Sequence, residues 1–267
     1  MVIKSKRVFA AGWPRNEQGW IEFPEDAKLR RAVFKSRVAH PAKNNLYMLQ
    51  DIVECYSEPG DIVLDPMAGG GSTMYAAAQD RHVRLIELGK NYQQMLMVNR
   101  QGFADKDILI FMGSCLKILP WPEAVDLIMF SPPYSNQLKA GGKGMPQYEY
   151  AKDSSGYVGF EEYTDDPDNL GILPEFLFNI KMQAVYEVCY KTLKPGGIMV
   201  FVLKDQIKQG KRVDYTMTNI RKAMQVGFKL YEWSKHTHIG KLFGTYNLQQ
   251  GYRQITDEDI VAMIKEY

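Results

Sequence analysis

Two polar motifs, each following a short apolar run, constrain this chain more than any other feature. Asp61-Ile62-Val63-Leu64 leads into Asp65-Pro66-Met67-Ala68-Gly69-Gly70-Gly71-Ser72-Thr73. Val125-Asp126-Leu127-Ile128-Met129-Phe130 leads into Ser131-Pro132-Pro133-Tyr134, 66 residues after Asp65. Apolar runs of this length bounded by turn residues read as buried strands. Further strands are predicted at Val83–Leu88, Asp107–Met112, Ile198–Leu203 and Phe228–Trp233. Helices are predicted at about 44–57, from Gly71 through Ala78, and at about 91–101, 172–193 and 213–226. Strands alternating with helices imply an α/β fold with a mostly parallel, doubly wound, Rossmann-like sheet. In such sheets ligands bind outside the carboxyl ends of the strands, where both motifs fall.

The rest of the chain divides around this core. Residues 1–38 form an arm punctuated by Trp and Pro, and residues 39–255 the catalytic domain. A small insertion at about 135–170 interrupts the rhythm, either a target-recognition element or a loop. Thr256-Asp257-Glu258-Asp259 resembles a helix N-cap with acids in the first turn, so residues 256–267 are predicted as a C-terminal helix.

Composition narrows the class. No apolar run approaches the roughly 18 residues of a membrane span, and the basic N-terminus is not followed by the apolar stretch of a secretory signal. A cytoplasmic protein with no membrane partner is expected. Cys55, Cys115 and Cys189 are scattered, an odd count without Cys-x-x-Cys, so they read as small buried hydrophobes. His236 and His238 have no Cys or paired carboxylate nearby, and no metal site is expected. Charge is unevenly spread. Residues 1–45 carry ten Lys/Arg against four Asp/Glu, and residues 191–253 carry twelve against three. Residues 149–187 carry two against nine. Two basic segments flanking an acidic one suit a polyanionic partner.

The glycine motif suits a polar cofactor. Glycines reach φ > 0 and admit a ligand close to the backbone. Ser72 and Thr73 place hydroxyls and amides at a helix start, which favours a carboxylate or phosphate. Asp65 offers a carboxylate to an ammonium or sulfonium. Glu87, 22 residues on and at the end of the second strand, can accept from a ribose diol. Neither Gly-x-Gly-x-x-Gly nor a Gly-Lys-Ser/Thr ending is present. S-adenosylmethionine therefore fits better than NAD or ATP.

The second motif offers acceptors. Two prolines remove two backbone donors and fix φ. A hydroxyl at Ser131 and carbonyls at Pro132 and Pro133 remain. An exocyclic amine is a poor nucleophile because its lone pair is delocalised into the base. Fixed acceptors can pull its nitrogen toward a nucleophilic geometry. Tyr134 supplies a flat face for an extruded base.

These residues resemble the DNA amino-methyltransferases that modify cytosine N4 or adenine N6. Their cofactor motif reads Asp-Pro-Phe-x-Gly-x-Gly, here with Met67 for Phe. Their catalytic motif, Asp/Asn/Ser-Pro-Pro-aromatic, matches Ser131, Pro132, Pro133 and Tyr134. The Ser form is commoner among cytosine-N4 enzymes. A His-Pro-x-Lys-type element that contacts the methionine end of the cofactor matches His40, Pro41 and Lys43. The resemblance implies S-adenosyl-L-methionine held by that element with Asp65, Pro66, Met67, Gly69, Gly71, Ser72, Thr73 and Glu87. It adds Ser114 near the adenine, where the family often carries an acid.

The resemblance further implies a class I methyltransferase fold, double-stranded DNA as partner, and methylation of a flipped base, cytosine N4 favoured. Adenine N6, an RNA substrate, and a catalytically silent nucleic-acid-binding subunit stay open. So do the oligomeric state and a companion restriction enzyme.

Overall fold

The computed structural model describes residues 7–36, 43–133, 164, 166–208, 211–237 and 255–267. At its centre are seven strands: β1 (Ile62–Asp65), β2 (His82–Glu87), β3 (Ile108–Met112), β4 (Val125–Phe130), β5 (Leu193–Leu203), β8 (Lys229–Thr237) and β9 (Asp257–Ile264). Their order across the sheet is β3-β2-β1-β4-β5-β9-β8. All run parallel except β9, which is antiparallel to both neighbours. A two-stranded hairpin, β6 (Gln206–Lys208) with β7 (Lys211–Val213), stands apart.

Alternation along each strand builds two apolar layers. Val63, Val83, Leu127, Val200 and Ala262 enter one layer, with side chains from α2 (Leu46–Tyr56) and α3 (Lys90–Arg100). Leu64, Ile86, Ile128, Phe201 and Met263 enter the other, with side chains from α5 (Glu175–Thr192) and α6 (Tyr215–Val226). The short α4 (Cys115–Ile118) joins this second layer through Cys115. Helices on both faces of a mostly parallel sheet are the doubly wound arrangement expected. Strand order reverses between β1 and β4, the position where such sheets open a ligand crevice.

The segment after Gly71 is helical, as expected, but winds as a 3-10 helix over Ser72–Gln79. Lys194-Pro195-Gly196-Gly197, whose composition suits a turn, lies inside β5. The β4–β5 register jumps there from Val125↔Leu193 to Leu127↔Ile198, so the turn residues form a bulge. The three cysteines are buried and free, as expected.

The expected C-terminal helix is corrected: Asp257–Ile264 is β9, inserted between β5 and β8. Its acids do not cap a helix. Asp257 takes Arg212 and Lys235, Asp259 takes Lys235 and the Trp233 indole, and Glu258 takes His236. The following Ile260-Val261-Ala262-Met263 alternates between the two layers, which only a strand allows. Residues 256–267 thus belong to the central sheet. Nor is the N-terminal arm wholly irregular. It holds a helix, α1 (Ala27–Val33), and contributes Phe9, Ile21 and Phe34 to the core. Of the expected insertion at about 135–170, only residues 164 and 166–170 are among the described residues. No helix of the described residues is long and apolar enough to cross a membrane.

Candidate active site

β1 and β4 are hydrogen-bonded neighbours, with Val63↔Leu127 and Leu64↔Ile128 in register. Asp65 therefore lies level with Met129, and Ser131 two residues further out at the same end. Strand spacing and rise put their Cα atoms roughly 8 Å apart. Asp65 and the Ser131–Pro133 turn thus sit side by side at the carboxyl ends of adjacent strands, where such sheets bind ligands. Tyr134 lies outside the described residues, as do His40 and Pro41.

The glycine side is tightly bonded within itself. Asp65 is 4% exposed. One of its oxygens accepts the Met67 amide at 3.0 Å, the other the Thr73 hydroxyl at 2.6 Å. Pro66 carries the chain between them. Glu87, 1% exposed, accepts the amides of Gly69 and Gly89, each at 2.6 Å. The loop from β1 is thereby laced to the end of β2. Gly69 and Gly71 both have positive φ, at 50° and 79°. A Cβ at Gly71 would run into the Leu96 side chain and sit 3.2 Å from Met74 Cε. Burial pushes the Asp65 carboxyl up to about 7, against the Thr73 and Met67 hydrogen bonds and with some help from the Glu87 charge. No cation pairs with it among the described residues. A buried carboxylate held by a hydroxyl and one amide suits an incoming positive group.

Ser72 accepts a hydrogen bond from Arg30 of α1 at 2.9 Å. The same guanidinium binds Asp26 and the backbone carbonyl of Asn44. Lys43 lies next in chain. Its ammonium is pushed to lower pKa by partial desolvation and then by Arg30, with Asp26 opposing. Ser72, Arg30 and Lys43 together make a cationic rim on the loop. Arg30 was not foreseen. It sits in an arm with no motif around it, and only the folded chain brings it to Ser72.

At the end of β3, Ser114 is buried and caps α4. The segment Gly113-Ser114-Cys115 carries no acid, but the fold supplies one. Asp168 pairs with Lys117 at 2.6 Å and lies near the Ser114 side chain. Lys117 chiefly, and Ser114 least, hold that carboxyl below its usual range.

The second motif is anchored differently. Ser131 is exposed, and its hydroxyl donates to Asn44 Oδ1 at 3.0 Å. Pro132 is buried. The Pro133 carbonyl accepts the Tyr215 hydroxyl at 2.8 Å. Tyr215 opens α6, and its amide and that of Thr216 both donate to Asp205 just beyond β5. The Ser131 proton and the Pro133 carbonyl are accounted for in this way. The Ser131 lone pairs and the Pro132 carbonyl have no side-chain partner among the described residues.

The fold is that of the class I, S-adenosylmethionine-dependent methyltransferases. Similar solved structures include TrmN from Thermus thermophilus, with a TM-score of 0.56 and 14% identity, covering 88% of this chain and 52% of that one. A methyltransferase from Pyrococcus furiosus has a TM-score of 0.54 and 13% identity, covering 91% and 95%. At such identities the likeness is one of fold.

The sequence model of the DNA methylase family of N6/N4 methyltransferases matches residues 6–98. A curated relative from Escherichia coli (strain K12), named Putative methylase YubD, is 40% identical over 77 residues, 26% of this chain and 34% of the relative. The chain thus spans about a third of that relative's length. The stretch that matches this family model holds the Asp65 loop and Glu87. S-adenosylmethionine is the cofactor that the matched family model and the fold imply, and the donor set fits it: a buried acid with no cation paired to it among the described residues, positive charge beside the loop, and an acid at the next strand end.

Proposed function

We propose that this protein methylates an exocyclic amino group of a base in duplex DNA, cytosine N4 by preference. The observation that carries the reading is the placement of two acceptors, Ser131 Oγ and the Pro132 carbonyl, with no side-chain donor among the described residues, one strand from the buried Asp65 carboxylate. Bound S-adenosylmethionine supplies an electrophilic methyl group on a sulfonium. Asp65 faces the positive end of that molecule, and Arg30, Lys43 and Ser72 its carboxylate, with His40 and Pro41 assigned to the same end by sequence. Glu87 receives the ribose hydroxyls. Ser114, with Asp168 beside it, lines the path toward the adenine.

On the opposite side, the target base is rotated out of the duplex. Its amino hydrogens donate to Ser131 and Pro132, which localises the nitrogen lone pair, and Tyr134 stacks on the ring. The nitrogen would take the methyl as the methyl–sulfur bond breaks and leaves a neutral thioether, and would then shed a proton to solvent. No strong base is required, and the residues' task is alignment.

Basic side chains grip the phosphates, but fewer than the sequence count implies. Lys194, Arg212, Lys229 and Lys235 are in ion pairs with Asp126, Asp257, Glu266 and Asp259. Lys28, Arg31, Lys35 and Lys211 are exposed and outside ion pairs among the described residues. Affinity for DNA falls with salt in proportion to the phosphates neutralised.

The test is incubation with duplex DNA and labelled cofactor, followed by mass spectrometry of the nucleosides. N4-methylcytosine is expected. N6-methyladenine, or product only on RNA, replaces the base or the polymer in the proposal. Ser131→Ala is expected to abolish transfer with cofactor affinity nearly intact. Wild-type rates in that variant overturn the assignment of the turn.

A further inference from the structure

We infer that Asn44 is a positioning residue that sets the Ser131 hydroxyl as an acceptor and so selects substrates bearing an amino group. The inference rests on the methyl-transfer reading of this crevice and deepens it. A serine hydroxyl has one proton and two lone pairs, and its rotor is free unless a partner holds it. In this fold the proton goes to Asn44 Oδ1 at 3.0 Å, across 87 positions of sequence. What Ser131 turns to the crevice is then lone pairs alone.

The consequence for the chemistry is direct. A freely rotating O–H could donate to the amine nitrogen and occupy the lone pair that must attack. It could equally welcome a ring nitrogen or a keto oxygen. With its proton committed, Ser131 can only accept, and only a group with N–H to give satisfies it. Burying an acceptor opposite a group that cannot donate leaves both unpaired, which is the strongest form of discrimination available to a polar site.

Asn44 can do this because its backbone is held at its own carbonyl and through the residue that follows. Arg30 donates to its carbonyl. The next residue, Asn45, caps α2 by accepting from the amides of Tyr47 and Met48, and its own amide donates to Pro24. The segment that carries Asn44 is therefore tied to the N-terminal arm, to the start of α2 and, through Arg30, to Ser72 of the glycine loop. The carboxamide that orients Ser131 is held by the same residues that border the cofactor side.

The experiment compares wild type, Asn44→Ala and Asn44→Asp in single-turnover transfer to duplex DNA, with cofactor affinity by calorimetry and melting temperature in parallel. Aspartate keeps an oxygen to accept the Ser131 proton, and alanine does not. Asn44→Ala is expected to slow transfer about tenfold, the worth of one hydrogen bond made in the transition state, with cofactor Kd and DNA KM unchanged. Asn44→Asp is expected to recover to within about threefold of wild type. A purely structural role predicts a lowered melting temperature and weaker binding in both variants instead. An Asn44→Ala protein as fast as wild type, or an Asn44→Asp protein as slow as Asn44→Ala at wild-type melting temperature, overturns the inference and leaves the methyl-transfer reading standing. A wild-type protein that methylates no nucleic acid overturns that reading, and the inference with it.

Discussion

The two sides of the crevice are built on opposite plans. On the glycine side, Asp65 and Glu87 are buried and bonded to residues within 18 positions of themselves: Met67, Thr73, Gly69 and Gly89. On the side of the proline turn, Ser131 is exposed, and its two anchors come from 87 and 82 positions away. One side is preformed by local chain geometry. The other is assembled by tertiary contacts from Asn44, just ahead of α2, and from Tyr215 of α6. A cofactor shared by many enzymes can be met by a local loop. A target specific to one enzyme is met by residues whose placement depends on the whole fold.

The largest effect that tests the local side is expected from Gly71→Ala. At φ of 79° an L-residue costs ~1–2 kcal/mol. The added Cβ also meets Leu96 and Met74, both fully buried. A total loss of about 2–4 kcal/mol in unfolding free energy is expected from strain and overpacking together, with cofactor binding weakened by at least about tenfold. Chemical denaturation and calorimetry measure the two. Unchanged binding would mean that the cofactor side does not depend on this loop.

Next in size is the titration of Asp65. Its folded-state pKa of about 7 lies above its ordinary 3.8. The folded protein without cofactor holds this proton more tightly than the unfolded chain. The stability it contributes is full below the ordinary value and is lost as pH rises through about 7. Cofactor binding should run the other way. A sulfonium or ammonium favours the ionised carboxylate, so affinity tightens up to about tenfold per pH unit toward pH 7 and then levels. Asp65→Asn is expected to bind more weakly and to flatten both dependences. Calorimetry in two buffers of different ionisation enthalpy shows whether a proton leaves on binding. A wild-type affinity independent of pH between 5 and 8 would remove Asp65 from the cation's surroundings.

This difference in construction also decides what could be read from the sequence. Asp65, Gly71, Thr73 and Glu87 lie within one strand-loop-helix-strand unit, where spacing alone predicts position. The strands β1 to β4 were legible because their apolar runs are short and bounded by Gly, Pro or charge. Asn44 and Tyr215 carry no local signal. Asn44 follows a motif, and Tyr215 looks like any helix-opening aromatic. Arg30 and Asp168 are equally silent, since each acts through a residue of another element. The one clear misreading, β9, has the same origin. Thr256-Asp257-Glu258-Asp259 has the local form of a helix start. Arg212, Lys235 and Trp233, distant in sequence, bind those acids instead, and pairing with β5 and β8 outweighs local preference.

The finest test of the assembled side is Tyr215→Phe. The substitution removes one hydroxyl and keeps the ring that packs near Phe178. The Pro133 carbonyl then loses its 2.8 Å donor. Because that carbonyl can turn to water, the loss is expected to be near the lower end for a neutral hydrogen bond, about 1 kcal/mol, or roughly fivefold in the transfer step. Cofactor affinity should not move, since the hydroxyl removed is the one that donates to the turn after β4. The direction of any departure is informative. A fall in cofactor affinity would show that the two sides of the crevice are coupled through β4 and β1, and that the local loop is less self-sufficient than its hydrogen bonds suggest. A transfer rate unchanged within twofold would mean that the prolines alone hold the turn, leaving Asn44 as its sole distant anchor among the described residues.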